Sequence, residues 1–148
     1  MIMRNKLILV MVVVLFQCGH YEPVCECVRP QNWATPLCRP GLPNLYKVSN
    51  YLYRGGQPEK CGMEQLEKLE ITTFINFSTS DKDQYLINEY KLKSKHKFEY
   101  IPLPMCAFLP DKEKFKQFLA LVCDHVCDPS KGKVFIHCKH GADRTGTA

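Results

Sequence analysis

Hydrophobic positions along the chain switch between two periods. Residues 45–48 (LYKV) and 51–54 (YLYR) are short β-rich stretches around a Ser49-Asn50 turn, and Gly55-Gly56-Gln57-Pro58 breaks the second. Met63, Leu66 and Leu69 then recur at helical spacing, which predicts a helix ending near Glu70. Residues 71–77 (ITTFINF) are β-branched and aromatic enough to predict a central strand. The alternation repeats with a helix over 84–92 and a strand over 98–103. A helix opening at Pro110-Asp111 follows, with Phe115, Phe118, Leu119 and Val122 on one face, and 134–137 (VFIH) is the last strand. Strands and helices in alternation predict an α/β fold, with a mainly parallel central sheet flanked by helices. In such a fold, ligands bind at the carboxyl ends of the strands.

Two stretches stand outside this alternation. Residues 7–16 (LILVMVVVLF) form an unbroken apolar run behind Arg4 and Lys6, far short of the ~20 residues a membrane span needs. This reads as an export signal over residues 1–18, which places the protein in the cell envelope, periplasmic or membrane-anchored through its N-terminus. Leu15-Phe16-Gln17-Cys18 resembles a lipobox and makes Cys18 a lipidation candidate, although Phe16 and Gln17 replace the usual small residues. Lipidation, simple cleavage and an uncleaved anchor stay open. Residues 21–43 are rich in proline and cysteine with little periodicity, so 19–43 is expected to be an irregular segment ahead of a domain over 44–148.

Composition narrows the class. At 148 residues, 45% hydrophobic and 24% charged, the chain has room for one globular domain and is not disordered. Its net charge of +5 falls to about +3 once Arg4 and Lys6 are set aside, too little to indicate a nucleic-acid partner but compatible with an anionic substrate. The lysine-rich run 91–97 (KLKSKHK) reads as a solvated helix end and loop, with a basic patch for a membrane or phosphoinositide as the functional alternative.

Of the nine cysteines, Cys18 goes with the leader and Cys138 with the closing loop. The other seven are an odd set, so outside the cytoplasm some could pair while at least one stays free. Neither Cys25-Glu26-Cys27 nor Cys123, His125 and Cys127 has zinc-site spacing with a second ligand pair, so no metal or cofactor is expected. Cys123 and Cys127 are expected to be buried thiols on helix faces.

The chemistry gathers in the closing stretch VFIHCKHGADRTGTA. Cys138 is followed six positions later by Arg144, and the backbone between them can curl so that its N–H groups converge on an anion. Thr145 and Gly146 then open a helix, whose positive end lowers a cysteine pKa, so Cys138 is expected to be a thiolate at neutral pH. Arg144 offers a planar fork for two phosphate oxygens. These pieces suit nucleophilic phosphoryl transfer through a cysteinyl-phosphate.

The string HCKHGADRTG resembles the H-C-x5-R-[ST]-G signature of cysteine-dependent protein tyrosine and dual-specificity phosphatases. The segments RPQNWA (29–34), GLPNL (41–45), LYRGGQP (52–58) and IPLPM (101–105) are similar to those of a bacterial, often exported, branch of that family. The resemblance implies that Cys138 is the nucleophile and Arg144 the phosphate clamp. It makes Lys139, His140, Gly141, Ala142 and Asp143, with Arg144, the substrate-binding loop. Thr145 would hydrogen-bond the sulfur, His137 would hold the loop, and Gly141 and Gly146 would permit its backbone. Lys139 and His140 either touch a larger phosphorylated substrate or simply meet solvent.

Two aspartates compete as general acid. Asp111 sits at a helix start, where capping is its structural role. Asp143 precedes the signature arginine, as in myotubularin-like lipid phosphatases and some bacterial tyrosine phosphatases, with loop capping as its structural role. Its place beside Arg144 favours Asp143. Two features depart from the family: Ser78 stands where relatives often carry arginine, and the helix opened at Thr145 lacks the turns and further helices that follow it there. The resemblance therefore implies a partial, C-terminally truncated phosphatase domain. The function read from it is an exported phosphatase acting on phosphotyrosine or phosphoserine/threonine, with a phosphorylated protein or small phosphomonoester as partner. An inactive phosphate-binding remnant and a phosphoinositide or inositol phosphate phosphatase are the alternatives.

Overall fold

The β-branched and aromatic runs become the middle of one sheet. The computed structural model describes residues 30, 32–80, 82–106, 109 and 111–147. The expected leader with Cys18, the pair Cys25 and Cys27, and Pro110 lie outside the described residues. In chain order the elements are β1 (Thr35–Pro36), β2 (Tyr46–Lys47), β3 (Leu52–Gly55), α1 (Gly62–Lys68), β4 (Ile71–Asn76), α2 (Lys82–Lys91), β5 (Glu99–Pro102), α3 (Lys112–Cys127), β6 (Lys133–His137) and α4 (Asp143–Thr147). The sheet order is β1-β2-β3-β6-β4-β5. The two pairings at the β1 edge are antiparallel, and β3 with β6, β6 with β4 and β4 with β5 are parallel. This is the mainly parallel sheet flanked by helices that the alternation predicts. Among the described residues, no helix is long and apolar enough to cross a membrane.

Side-chain alternation along the strands divides the core into two layers. Phe74 of β4 and Phe135 of β6 point to the face covered by α1 and α2, where they join Met63, Leu66 and Ile87. Their neighbours Ile75, Val134 and Ile136 point to the face of α3 and meet Phe118. Because every central strand is buried on both sides, both faces of the sequence are apolar there, as parallel sheets require.

Three expectations change. The segment expected to be irregular supplies edge strand β1, and its Leu37 and Leu42 pack on the core. On α3, Leu119 is 44% exposed and lies off the core face, while Cys123 and Cys127 are exposed thiols rather than buried ones. The helical turn explains this: one, five and nine residues past Phe118 rotate a side chain roughly 100–180° away from it. The core stripe instead continues from Phe118 through Leu121 and Val122 to His125. Buried His125 bonds the Leu121 carbonyl through Nδ1 (2.9 Å) and Thr73 Oγ1 through Nε2 (3.0 Å), so it is held by α3 and β4. Among the remaining cysteines, Cys61 is disulfide-bonded.

Candidate active site

Strand β6 runs through the middle of the sheet and delivers His137 and Cys138 at its carboxyl end, both buried. The chain must then turn within 138–142 before α4 begins, and the neighbouring strand dictates how it does so. The Lys139 carbonyl accepts from the Gln57 backbone N–H (3.2 Å), the His140 carbonyl from Asn44 Nδ2 (3.1 Å), and the Gly141 carbonyl from Arg54 Nη1 (3.0 Å). Across a planar trans peptide the carbonyl and the next N–H point in opposite directions. Three carbonyls tied outward therefore turn the N–H groups of residues 140, 141 and 142 to the other side, and the Gly141 N–H reaches Cys138 Sγ at 3.3 Å.

Gly141 is required twice over. Its φ is +74°, in the region that disfavours side chains, and a Cβ there would stand 2.4 Å from the Gly55 carbonyl carbon. Arg54 is itself fixed by stacking on the Tyr46 ring, 4.2 Å from its centroid. Gln57 continues the bracing from below, because its side chain donates to Asp83.

Asp83 is the hub of a buried polar cluster behind the loop. It is 1% exposed and accepts from Gln57 Nε2 and Asn76 Nδ2, and its Oδ2 lies 3.4 Å from His137 Nε2. The His137 ring also stacks on Phe135 and meets the edge of Phe74. A buried carboxyl group is tolerated in a fold when it is hydrogen-bonded, and here its donors come from the loop after β3 and from β4.

Arg144 lies in the first turn of α4. Its Nη1 donates to the Phe77 carbonyl at 3.1 Å, while its Nε is buried with no protein partner, a donor left for a ligand. The same Phe77 carbonyl accepts from the Met105 backbone N–H at 3.0 Å, which holds Met105 beside the arginine. Asp111 caps α3, its Oδ1 accepting from the N–H groups of Glu113 and Lys114. Lys139, His140, Ala142 and Asp143 are exposed around the loop. Buried Ser78 forms a local turn with Asn76 and Ser80, and Gly146 donates its N–H to the Ala142 carbonyl. Among the described residues, no group of His, Cys, Asp or Glu is arranged to hold a metal ion.

The loop acts on the cysteine it surrounds. Burial pushes the Cys138 thiol up, but the Thr145 hydroxyl and the backbone N–H groups of Thr145, Gly141 and His140 outweigh it, leaving the thiol below its ordinary value of 9.0. Because these donors favour the charged form, the rate of Cys138 alkylation by iodoacetamide should reach half its plateau at a pH below 9.0. Thr145→Ala removes the hydroxyl and should move that midpoint upward. A midpoint unmoved by Thr145→Ala would show that the hydroxyl does not act on the sulfur.

The sequence reading brings Cys138, Gly141, Arg144 and Thr145 into one loop, and the structure does the same. It misses Arg54, Asn44, Gln57 and Asp83. LYRGGQP is noticed as a segment, but nothing in its spacing tells that Arg54 reaches a carbonyl 87 residues away.

Comparison with known proteins agrees with this geometry. A family profile described as a DSP-PTPase phosphatase fused to NAD+ kinase matches residues 43–148. The dual specificity protein phosphatase TpbA of Pseudomonas aeruginosa strain UCBPP-PA14 is 27% identical over 143 residues, covering 95% of this chain and 60% of that protein. The crystal structure of P. aeruginosa TpbA superposes with a TM-score of 0.63 at 28% identity, over 78% of this chain and 65% of that one. A cysteine-to-serine TpbA in complex with phosphotyrosine gives 0.64 at 27% identity, over 80% and 65%. The chain thus spans less than two thirds of the length of these relatives.

Proposed function

The chain belongs to the family of DSP-PTPase phosphatases described as fused to NAD+ kinase, and from that premise we propose that it hydrolyses phosphomonoesters, phosphotyrosine foremost, through a phosphorylated Cys138. The observation that carries this reading is the pairing of a lowered Cys138 thiol with the unpartnered Arg144 Nε, both in a loop whose N–H groups face inward. Phosphotyrosine is favoured because TpbA has been captured with it.

Two displacements complete the turnover. The Cys138 thiolate attacks phosphorus, an S–P bond forms, and the P–O bond to the leaving group breaks with its electron pair going to oxygen. Inward N–H groups and Arg144 hold the phosphoryl oxygens, whose charge they already match before reaction. A carboxylic acid protonates the departing oxygen. Water then attacks phosphorus, the same carboxylate takes its proton, and Thr145 supports the sulfur as it leaves as thiolate. Lys139 and His140, exposed at the rim, would meet whatever surrounds the phosphate, and an inositol phosphate would meet them as readily as a peptide.

For the acid we favour Asp111 over Asp143. Met105, six residues before Asp111, donates to the carbonyl that also anchors Arg144, and Asp111 is less exposed than Asp143. With a phosphorylated alkyl alcohol, whose leaving group needs a proton, Asp111→Asn should cut turnover by roughly 10²–10⁴. With p-nitrophenyl phosphate it should cost far less, and Asp143→Asn should spare this leaving-group difference. The reverse pattern assigns the proton to Asp143. Absence of turnover on any phosphomonoester, with phosphate still bound, would overturn the hydrolytic reading and leave a phosphate-binding module.

The basic start and apolar run of residues 4–16 support a site of action outside the cytoplasm. Expressed in a bacterium, the protein should fractionate with the envelope, and labelling by palmitate should disappear in Cys18→Ala. Cytoplasmic protein with Met1 intact would contradict export, and labelling that survives Cys18→Ala would contradict lipidation at that residue.

A further inference from the structure

We propose that the loop between α2 and β5 forms a second anion site, separate from the Cys138 loop, for a ligand that carries two or more adjacent phosphate groups. A cavity of about 810 Å³ opens there, lined by Lys91, Lys95, Lys97 and His96 together with Thr72 and Lys131. These residues lie at the starts of β4, β5 and β6, whereas Cys138 follows the end of β6. One strand length, roughly 15–20 Å, therefore separates the two sites.

Loop 94–98 alternates between anchors and cations. Ser94 Oγ bonds Glu67 (2.9 Å) and accepts the His96 backbone N–H (3.0 Å). His96 Nε2 donates to the Ile71 carbonyl at 2.6 Å, and its ring meets the buried Phe98 edge-on at 4.5 Å. Residues 94, 96 and 98 are thus held against the fold, while Lys95 and Lys97 between them are exposed. Both of these lysines line the cavity. Lys91, in the last turn of α2, joins them. The far wall is equally fixed: Gly132 has φ +82°, a Cβ on it would strike Thr72 at 2.4 Å, and the Thr72 hydroxyl donates to the Lys131 carbonyl at 2.7 Å.

What distinguishes the cavity lysines is that they share one opening while none of them has a carboxylate at ion-pair distance among the described residues. Lys60, Lys68, Lys93, Lys116, Lys131 and Lys133 each have a carboxylate within ion-pair distance. Among the described residues, Lys91, Lys95 and Lys97 have none. Glu99, also on the cavity wall, supplies one negative charge, and Lys131 is tied to Asp124. That leaves three ammonium groups facing one carboxylate around a single opening, a net positive charge. Each is a point charge on a flexible stem, which suits several phosphate oxygens at variable spacing better than one carboxylate or one planar group. The site does not rest on the phosphatase reading, since it shares no residue with the Cys138 loop.

The test titrates sodium tripolyphosphate into the full chain while backbone amide resonances are followed. Shifts are expected at Thr72 and through 94–99, apart from any at 138–145. In the triple variant K91Q/K95Q/K97Q the affinity read from those loop shifts should fall at least roughly tenfold. The variant K47Q/K82Q/K112Q, which removes equal charge from lysines elsewhere that likewise have no carboxylate at ion-pair distance among the described residues, should change it less than about twofold. Co-sedimentation with phosphatidylcholine vesicles, with and without a bisphosphorylated phosphatidylinositol, tells the sources apart. Capture that needs the phosphorylated lipid and is lost in K91Q/K95Q/K97Q assigns the site to a lipid headgroup. Tripolyphosphate binding without such capture assigns it to a soluble compound. Shifts confined to 138–145, or equal weakening by both triple variants, overturn the proposal.

Discussion

Cys138→Ser should reduce turnover of p-nitrophenyl phosphate by on the order of 10⁴–10⁶, the scale seen when a nucleophile is removed from an otherwise intact site. The loop itself should survive, because serine is close to cysteine in size and the carbonyls of Lys139, His140 and Gly141 keep their outward partners. What is lost is the low-lying thiolate. The Thr145 hydroxyl and the loop N–H groups bring the thiol below its ordinary value against the opposing effect of burial. The same donors cannot bring an alcohol, which starts many units higher, into the neutral range. Inorganic phosphate should bind the variant within a few-fold of the parent, since the inward N–H groups and Arg144 are untouched. Phosphate binding lost along with turnover would mean that the loop had collapsed. Turnover retained would mean that another nucleophile operates.

Arg144→Lys should cost roughly 10²–10³ in kcat/KM, comparable to removing a preorganised donor from a site of developing charge. The charge is conserved in this variant, so the loss isolates geometry. Arg144 uses Nη1 to anchor itself on the Phe77 carbonyl and keeps a buried, unpartnered Nε for the ligand. Lysine has one nitrogen and cannot do both. If it keeps the anchor it abandons the phosphate, and if it reaches the phosphate the Phe77 carbonyl loses a donor. Activity within about twofold of the parent would show that Arg144 contributes only its charge. Asp83 offers a contrasting case. It touches no part of the nest directly, and any loss in Asp83→Asn would have to pass through Gln57, Asn76 or His137.

Local signals in the sequence account for most of the sheet and for the reacting loop. The runs 71–77 and 134–137 show as strands because β-branched and aromatic residues crowd them, and Cys138 and Arg144 are close enough in sequence to be read as one unit. What escapes the sequence depends on distant pairing. The reach of Arg54 to Gly141 and the convergence of Gln57, Asn76 and His137 on Asp83 exist only once β3, β4 and β6 lie side by side. Edge strand β1 escapes for a related reason, since its two residues, Thr35 and Pro36, carry no periodicity and gain their pairing from Tyr46 and Lys47. On α3 the error is one of phase. Leu119 looks like a core residue by type, but the buried stripe runs from Phe118 to His125, a polar residue made acceptable inside by bonds to Thr73 and Leu121.

A phosphorylated Cys138 is the claim on which everything about the chemistry depends, and it can be looked for directly. Turnover of p-nitrophenyl phosphate is stopped within milliseconds by a denaturing quench, and the peptide bearing Cys138 is weighed. The expected result is a fraction of that peptide carrying one added phosphoryl group on Cys138 Sγ, present only while substrate is being consumed and absent from Cys138→Ser. Turnover with Cys138 unmodified at every quench time, or with the phosphoryl group on a different side chain, would contradict it.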